Sequence, residues 1–573
     1  MKKNVVAMSI MLICYGCTPD SLSNLIDITQ NSDSETINTD TTTVAPKIDE
    51  TVWADDSIQN TNFDRTITIV FSDGGAQVTG DSNSIVSVEG NHVIVNNTSD
   101  EKIIYELSGS AQNGSLKIYS SKKQALILNG LELANPKGSA INNQGKKKCY
   151  VVVNGTNSLA DGASYSSTPD NEDEKAAFFS EGQLVFCGDG TLTVNGQGKS
   201  GITSDDYVRI METPVINVSS SAGHGIRGKE YVVISGGTIN VQVSANMKKG
   251  ITSDSLVFIN GGETTIKVTG SADYDKEDAE YKGSAGIKAD KLLAINGGIL
   301  NVTNSGTGGK GISGDVTGCF NGGTVRVTTT GSNYGQSSSN RVSAKGIKFD
   351  GNIFFQDGAV TVNCSAHEGI ESKGSIIVNG GVVYSYSAAD DAINSAGNFT
   401  VEKGMVCGHA VRNDGLDANG NFYINGGLVY AIGTTSPEVA IDANTEKGYK
   451  LYVQGGTIIA VGGLESGSSL TQSCYYASSW SANTWYSLTV GTDEIGFKTP
   501  SSGGTPMVVS GTSTPSLKSG VTVSGGTSWF DGMLTTGGSV SGGSSVELSS
   551  YTGGNGGPGV PGGHGGPGGH GRW

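Results

Sequence analysis

No part of the chain carries helical periodicity, and aromatic residues (7%) and charged residues (16%) are both scarce in its 573 residues. A helical protein is excluded on those grounds. Positive charge is also short. Against 54 Asp and Glu stand 37 Lys and Arg, a formal net charge of -17. That balance argues against a nucleic-acid binder or a polybasic membrane-surface protein, and a polyanionic ligand would need a cation to mediate it. The six cysteines beyond Cys17 show neither CxxC nor His-rich spacing, so no structural zinc site is expected, and most read as small apolar core residues. What the chain has in abundance is glycine, 87 residues, among many Val, Ile and Thr. The composition is all-β.

The N-terminus, "MKKNVVAMSIMLICYGC", is a short basic segment followed by an apolar run too short to span a bilayer, which suits a signal peptide. It ends at Cys17 and resembles the lipobox of bacterial lipoproteins, although Cys14 stands where that pattern usually has leucine. The expectation is lipidation at Cys17, with simple secretion as the alternative. Localisation is then the bacterial cell envelope, lipid-anchored at the outer membrane or cell surface, or secreted. Any membrane contact is through the lipid anchor alone. Residues 18–50 are mostly Ser, Thr, Asn and Asp and read as a disordered tether.

An internal repeat organises the rest. Segments such as "GITSD", "GIKAD", "GIKFD", "AINSA" and "GLDAN" align an apolar marker at Ile202, Ile226, Ile251, Ile287, Ile312, Ile347, Ile370, Ile393, Leu416 and Ile441, in steps of 23 to 25 residues or of 35 and 36. A Gly-Gly pair follows in most units, flanked by short alternating strands such as "TINVQV". A unit of that size cannot bury its apolar face alone, so neighbours must stack into a parallel β-helix. Less secure units at Ile141 and Phe178 bring the count to ten to twelve coils, a stack about 58 Å long at a strand spacing of about 4.8 Å.

Register then sorts the side chains. After Gly-Gly the second and fourth residues point inward and the third outward. Tyr384 and Tyr430 fall on that outward position, and Tyr423 and Tyr452 form a second outward pair before Gly-Gly. Such rings suit a carbohydrate face; the other reading is aromatic ladders that stabilise the stack. Asp and Asn recurring three residues after the marker read as turn residues.

Other acids form columns. Two residues before the marker lie Glu368, Asp391 and Asp414; one residue after it lie Glu371, Asn394, Asp417 and Asp442; Asp390 and Asn413 sit alongside at three before. Carboxylates held about 4.8 Å apart repel by about 3.5 kcal/mol at an effective dielectric of 20. Ca²⁺, which takes about 6 to 8 oxygen ligands, suits such a corner. The alternative is a hydrated acidic corner with no specific ion. Two insertions, 272–283 and 332–343, and a third candidate at 164–177, fall at the same edge. Insertions gathered on one side of a solenoid tend to mark its functional side.

The run from 105 to 163, followed by "GKSGITSDDYVRI", "DDAINSAGNF" and "NDGLDANGNFYINGG", resembles the secreted bacterial carbohydrate-binding domain-containing β-helix proteins. The resemblance spans roughly residues 60 to 465. It implies a right-handed parallel β-helix similar in architecture to pectate lyases, an association with plant cell-wall polysaccharide, and calcium at Asp390, Asp391, Asp414 and Asp417. A lyase of this architecture also needs a base beside the metal, for which Lys345, Lys348, Lys373 and Arg412 are the candidates; ion-pair ladders explain the lysines equally well. A hydrolase reading of Asp205 with His224 fails on register.

The expected division is a signal peptide and lipobox (1–17), tether (18–50), N-terminal β cap region (51–125), parallel β-helix (126–465), C-terminal β segment (466–552) and Gly/Pro-rich disordered tail (553–573), whose His564 and His570 are weak metal candidates. The expected function is a monomeric, calcium-dependent binder of plant or matrix polysaccharide, pectin-like or cellulose. A calcium-dependent polysaccharide lyase and a structural or adhesive solenoid are the alternatives.

Overall fold

The computed structural model describes residues 26–27, 47–48, 53, 55–166, 172–337 and 339–553. The signal segment with Cys17, most of the tether, nearly all of the tail with His564 and His570, and the centre of the 164–177 insertion lie outside the described residues. The chain divides into two units, Met1–Asn62 and Phe63–Trp573. In the first, Ile26–Asp27 pairs antiparallel with Lys47–Ile48, and Ile58–Asn60 forms a single 3₁₀ turn.

The second unit is a parallel β-helix. Each regular coil contributes three strands, exemplified by Ser200–Ser204, Tyr207–Ile210 and Val215–Ser220. The marker strands stack into one sheet, the strands before Gly-Gly into a second, and the strands after it into a third. Gly-Gly makes the corner between the second and third sheets. Its second residue is left-handed in coil after coil, with φ between 72° and 82° from Gly237 to Gly456, a conformation that glycine adopts without steric cost.

The marker ladder runs Val93, Leu116, Ile141, Phe178, Ile202, Ile226, Ile251, Ile287, Ile312, Ile347, Ile370, Ile393, Leu416, Ile441 and Leu464, fifteen rungs, all buried. Burying one such side chain contributes about 2 to 3 kcal/mol, which drives the stacking. Ten to twelve coils were expected. The additional rungs are Val93, Leu116 and Leu464. The first two follow His92 and Ser115 where the repeat has glycine or alanine, and Leu464 has Gly467 three residues on, where most units have an acid or amide. Parallel pairing already joins Arg65–Phe71 to Ile103–Ala111, so much of the expected cap region is helix proper.

Alternation on the third sheet leaves three outward columns. The one beside the Gly-Gly corner runs through Thr191, Val215, Thr238, Glu263, Ile299, Thr324 and Ala359, and two more lie beyond it. Of those two, one runs through Thr193, Asn217, Asn240, Thr265, Asn301, Arg326 and Thr361, the other through Asn195, Ser219, Gln242, Lys267, Thr303, Thr328 and Asn363. Neither of those two contains a carboxylate.

Beyond the last coil the polarity reverses. Met507–Ser510 pairs antiparallel with Thr457–Val461, the last strand of the third sheet. A six-stranded antiparallel sheet follows, in the order Thr527–Trp529, Leu534–Thr536, Asp493–Lys498, Trp485–Val490, Ser516–Ser524, Ser539–Val546. It folds back over the third sheet and forms a second core with Tyr384, Cys407, Tyr430 and Ile432. Among the described residues six cysteines are free thiols; five are buried and Cys187 is half-buried.

Candidate metal centre

The turn that leaves the third sheet and enters the marker sheet carries the acids. Three columns meet there. Three residues before the marker they are His367, Asp390, Asn413 and Glu438; two before, Lys345, Glu368, Asp391 and Asp414; one after, Lys348, Glu371, Asn394, Asp417, Asp442 and Glu465. All nine predicted oxygen ligands lie on this edge, but the structure divides them into two groups.

The upstream group has cations of its own. Lys345, buried, has its ammonium 3.0 Å from Glu368 Oε2 and also pairs with Glu371, which Lys373 contacts on its other oxygen. Burial works against the charge on Glu371, yet Lys345 and Lys373 hold its pKa at about 2. His367 Nδ1 contacts Glu368 and lies 3.0 Å from Asp390 Oδ2, and Asn413 donates to Asp390 Oδ1 at 2.8 Å. The basic stretch continues upstream, since Lys249, Lys310 and Lys345 occupy one column. Burial, with help from neighbouring lysines, pushes Lys249 and Lys310 down to about 8.

The downstream group has no such partners. Asp391 is 5% exposed and Asp414 7% exposed. Asp391 accepts from Asn394 Nδ2 at 3.0 Å and from the Asp414 backbone N–H at 3.1 Å, while Asp414 accepts from the Val439 N–H at 2.5 Å. No Lys, Arg or His pairs with Asp391, Asp414, Asp417 or Asp442 among the described residues. Burial and then Asp390 push Asp391 up to about 7; burial, Asp391 and Asp442 push Asp414 up to about 10; burial and Glu465 push Asp442 up to about 8. Asp417 is raised by burial and by the same three aspartates. Four carboxylates that resist ionisation need either protons or a cation.

The donor set fits a hard cation. Ligand oxygens of Asp414, Asp417 and Asp442 all lie within 4.8 Å of one another. Oxygens that each stand about 2.3 to 2.6 Å from one Ca²⁺ are separated by no more than about 5 Å, so the three converge closely enough to share an ion. Two further groups, His367–Glu368–Asp390 and Asp173–Glu181–Asp205, have the same spread. In each, lysine or histidine already serves the acids: Lys175 stands 2.5 Å from Asp205 and contacts Asp173.

Of the candidate bases, Lys345, Lys348 and Lys373 are held in ion pairs, Lys348 with Asp350. Arg412 is exposed and unpaired among the described residues. His224 accepts the Lys249 N–H on Nδ1 at 3.0 Å, a structural role, and lies on the same edge several coils upstream of the acids. The insertions do reach the edge. Asp273–Asp275 and Glu280–Lys282 form a hairpin whose Tyr281 meets Tyr334 of the next insertion, and Asn333 donates to the Ala366 carbonyl beside His367.

The aromatic expectation needs correcting. Tyr384 and Tyr430 point away from the helix core as the alternation requires, but the C-terminal sheet covers them. Tyr430 is fully buried and donates its hydroxyl to the Lys498 carbonyl at 2.7 Å, and Tyr384 packs against Phe530. Tyr423 and Tyr452 do form an outward ladder, half-buried, with rings stacked 5.0 Å apart. Their ladder role is the one the geometry displays.

Fold and edge together define a parallel β-helix with a candidate cation-binding corner. Residues 89–254 and 304–392 match the family model described as Carbohydrate-binding domain-containing protein. Among solved structures, the chain is similar to a polysaccharide lyase-like protein from C. thermocellum, solved as a gadolinium derivative, at 19% identity and a TM-score of 0.34, covering 52% of this chain and 99% of that one. No curated protein matches the chain.

Proposed function

We propose that the chain is a calcium-dependent carbohydrate-binding protein whose acid edge holds the ion through Asp391, Asp414, Asp417 and Asp442. The observation that carries this reading is the stretch of buried and half-buried carboxylates without a cationic partner among the described residues, directly beside a stretch of the same columns that lysine serves. A bound Ca²⁺ would supply the missing positive charge and keep coordination positions open toward solvent for the carboxylates or hydroxyls of a polysaccharide. The family description supports a glycan as the ligand. Lipidation at Cys17 would place the binder at the cell envelope.

The test is retention on insoluble cellulose and on immobilised polygalacturonate, in calcium and in EDTA. Binding to either polymer that EDTA removes is the expected result. Calcium binding with no glycan retained would leave a structural solenoid instead. A lyase reading has Arg412 in its favour, exposed, unpaired among the described residues and two residues before Asp414. Absorbance at 235 nm during incubation with polygalacturonate and calcium decides it, since elimination leaves an unsaturated product.

A further inference from the structure

The third sheet offers a different surface. In a chain with 54 acidic residues, the two outward columns farther from the Gly-Gly corner pass through seven coils without a carboxylate and carry two cations, Lys267 and Arg326, while the column beside that corner has one carboxylate, Glu263. Neither cation has an ion-pair or hydrogen-bond partner among the described residues. Shallow grooves of about 450 Å³ and 480 Å³ follow these columns between Thr193 and Thr269. Farther along the stack, where the C-terminal sheet meets the third sheet, a cleft of about 460 Å³ lies between Arg326, Thr361 and Asn363 on one side and Trp529 to Gly532 on the other.

The cleft's outer wall is a strained turn. Phe530 and Asp531 have φ of 55° and 52°, left-handed values that cost a side-chain-bearing residue energy and persist only when the surroundings demand them. Phe530 is buried against Tyr384, which anchors the turn and leaves Asp531 exposed at its tip. Trp529 is half-buried, and its indole N–H is already donated to Thr536 Oγ1 at 2.9 Å. The ring therefore contributes apolar surface to the cleft rather than a donor. Donors come from Arg326 and Asn363, and an acceptor from Asp531. A held aromatic ring beside unpaired donors and an unpaired carboxylate is the complement of a pyranose, which presents a C–H face and a rim of hydroxyls.

We propose that this cleft is a second glycan site, independent of metal, which takes one pyranosyl residue of a chain whose other residues lie along the two polar columns. It shares only its ligand class with the calcium-edge reading. The acid columns occupy the turn after the third sheet, in later coils, and contribute none of the cleft's residues.

The full chain labelled with 5-fluorotryptophan tests the site by ¹⁹F NMR, with the Trp529 line assigned by its loss in Trp529→Phe. Cellohexaose and hexagalacturonate are titrated separately in EDTA, the two arms reporting whether Arg326 meets a hydroxyl or a carboxylate. The expected result is a saturable shift of the Trp529 line with at least one sugar, weakened at least tenfold in Arg326→Ala, whose other tryptophan lines report an intact fold. No shift with either sugar, an unchanged affinity in Arg326→Ala, or a shift that requires calcium would overturn the proposal. Asp414→Asn separates the two readings: it should abolish calcium-dependent retention and leave the Trp529 shift in place.

Discussion

Glu368 and Asp391 occupy the same position on successive coils, yet one arrives with its counterion and the other does not. Lys345 lies beneath Glu368 and serves Glu371 as well, whereas Asp391 is followed by Asp414 and flanked by Asp417. Backbone geometry is the same on both sides of this boundary. A solenoid can therefore change the chemistry of one edge from self-sufficient to cation-requiring by a single choice in each coil, with no change of fold.

The largest expected effect comes from removing the counterion. Lys345→Met leaves Glu368 and Glu371 buried and uncompensated and should cost about 3 to 5 kcal/mol in urea unfolding, part of it recovered by calcium because the upstream stretch then resembles the downstream one. A variant as stable as the parent would break the comparison. Next, Asp414→Asn should lower calcium affinity by roughly 100-fold in calorimetric titration, while in EDTA its melting temperature should equal or exceed that of the parent, since one of the repelling charges is gone.

The pH dependence follows from the raised aspartates. In EDTA the folded chain retains protons on Asp391, Asp442 and Asp414 up to about pH 7, 8 and 10, whereas the unfolded chain releases them near pH 4. The folded state binds more protons across that window, so these groups lower stability as pH rises from about 4 through about 10. Calcium should abolish that slope, and its stabilising effect, measured by thermal melts, should grow between pH 5 and pH 8. A calcium effect that is flat in pH would mean the ion sits elsewhere. The smallest expected change is Tyr430→Phe, which loses one buried hydrogen bond to Lys498 and should cost about 1 kcal/mol, with glycan retention unaltered.

Much of this edge was legible in the residues alone, because a solenoid converts sequence spacing directly into spatial columns. Counting from Ile370, Ile393 and Leu416 places Glu368, Asp391 and Asp414 together, and the structure keeps them together. The same count, carried upstream, would have reached Lys345 as the neighbour of Glu368 rather than as a base, and carried downstream to Leu464 it would have reached Glu465. Both lie where the column changes residue type or the marker repeat loses its usual flanking residues. The burial of Tyr384 and Tyr430 is a different case. Alternation tells which way a strand residue points, but what covers it is decided by a segment about 50 to 145 residues later that returns over the sheet, and no local pattern encodes that return.

At each end of the helix one of the sheets finishes on a strand that runs against the stack. Val86–Glu89 turns back on Asn91–Asn97 at one end, and Met507–Ser510 turns back on Thr457–Val461 at the other. A parallel coil exposes an edge that would accept another coil of the same direction, from this molecule or from a second one. Reversing the chain takes up the backbone donors and acceptors of that sheet with a partner that offers no further coil register, so the marker sheet at one end and the third sheet at the other each carry a stop signal against growth into filaments.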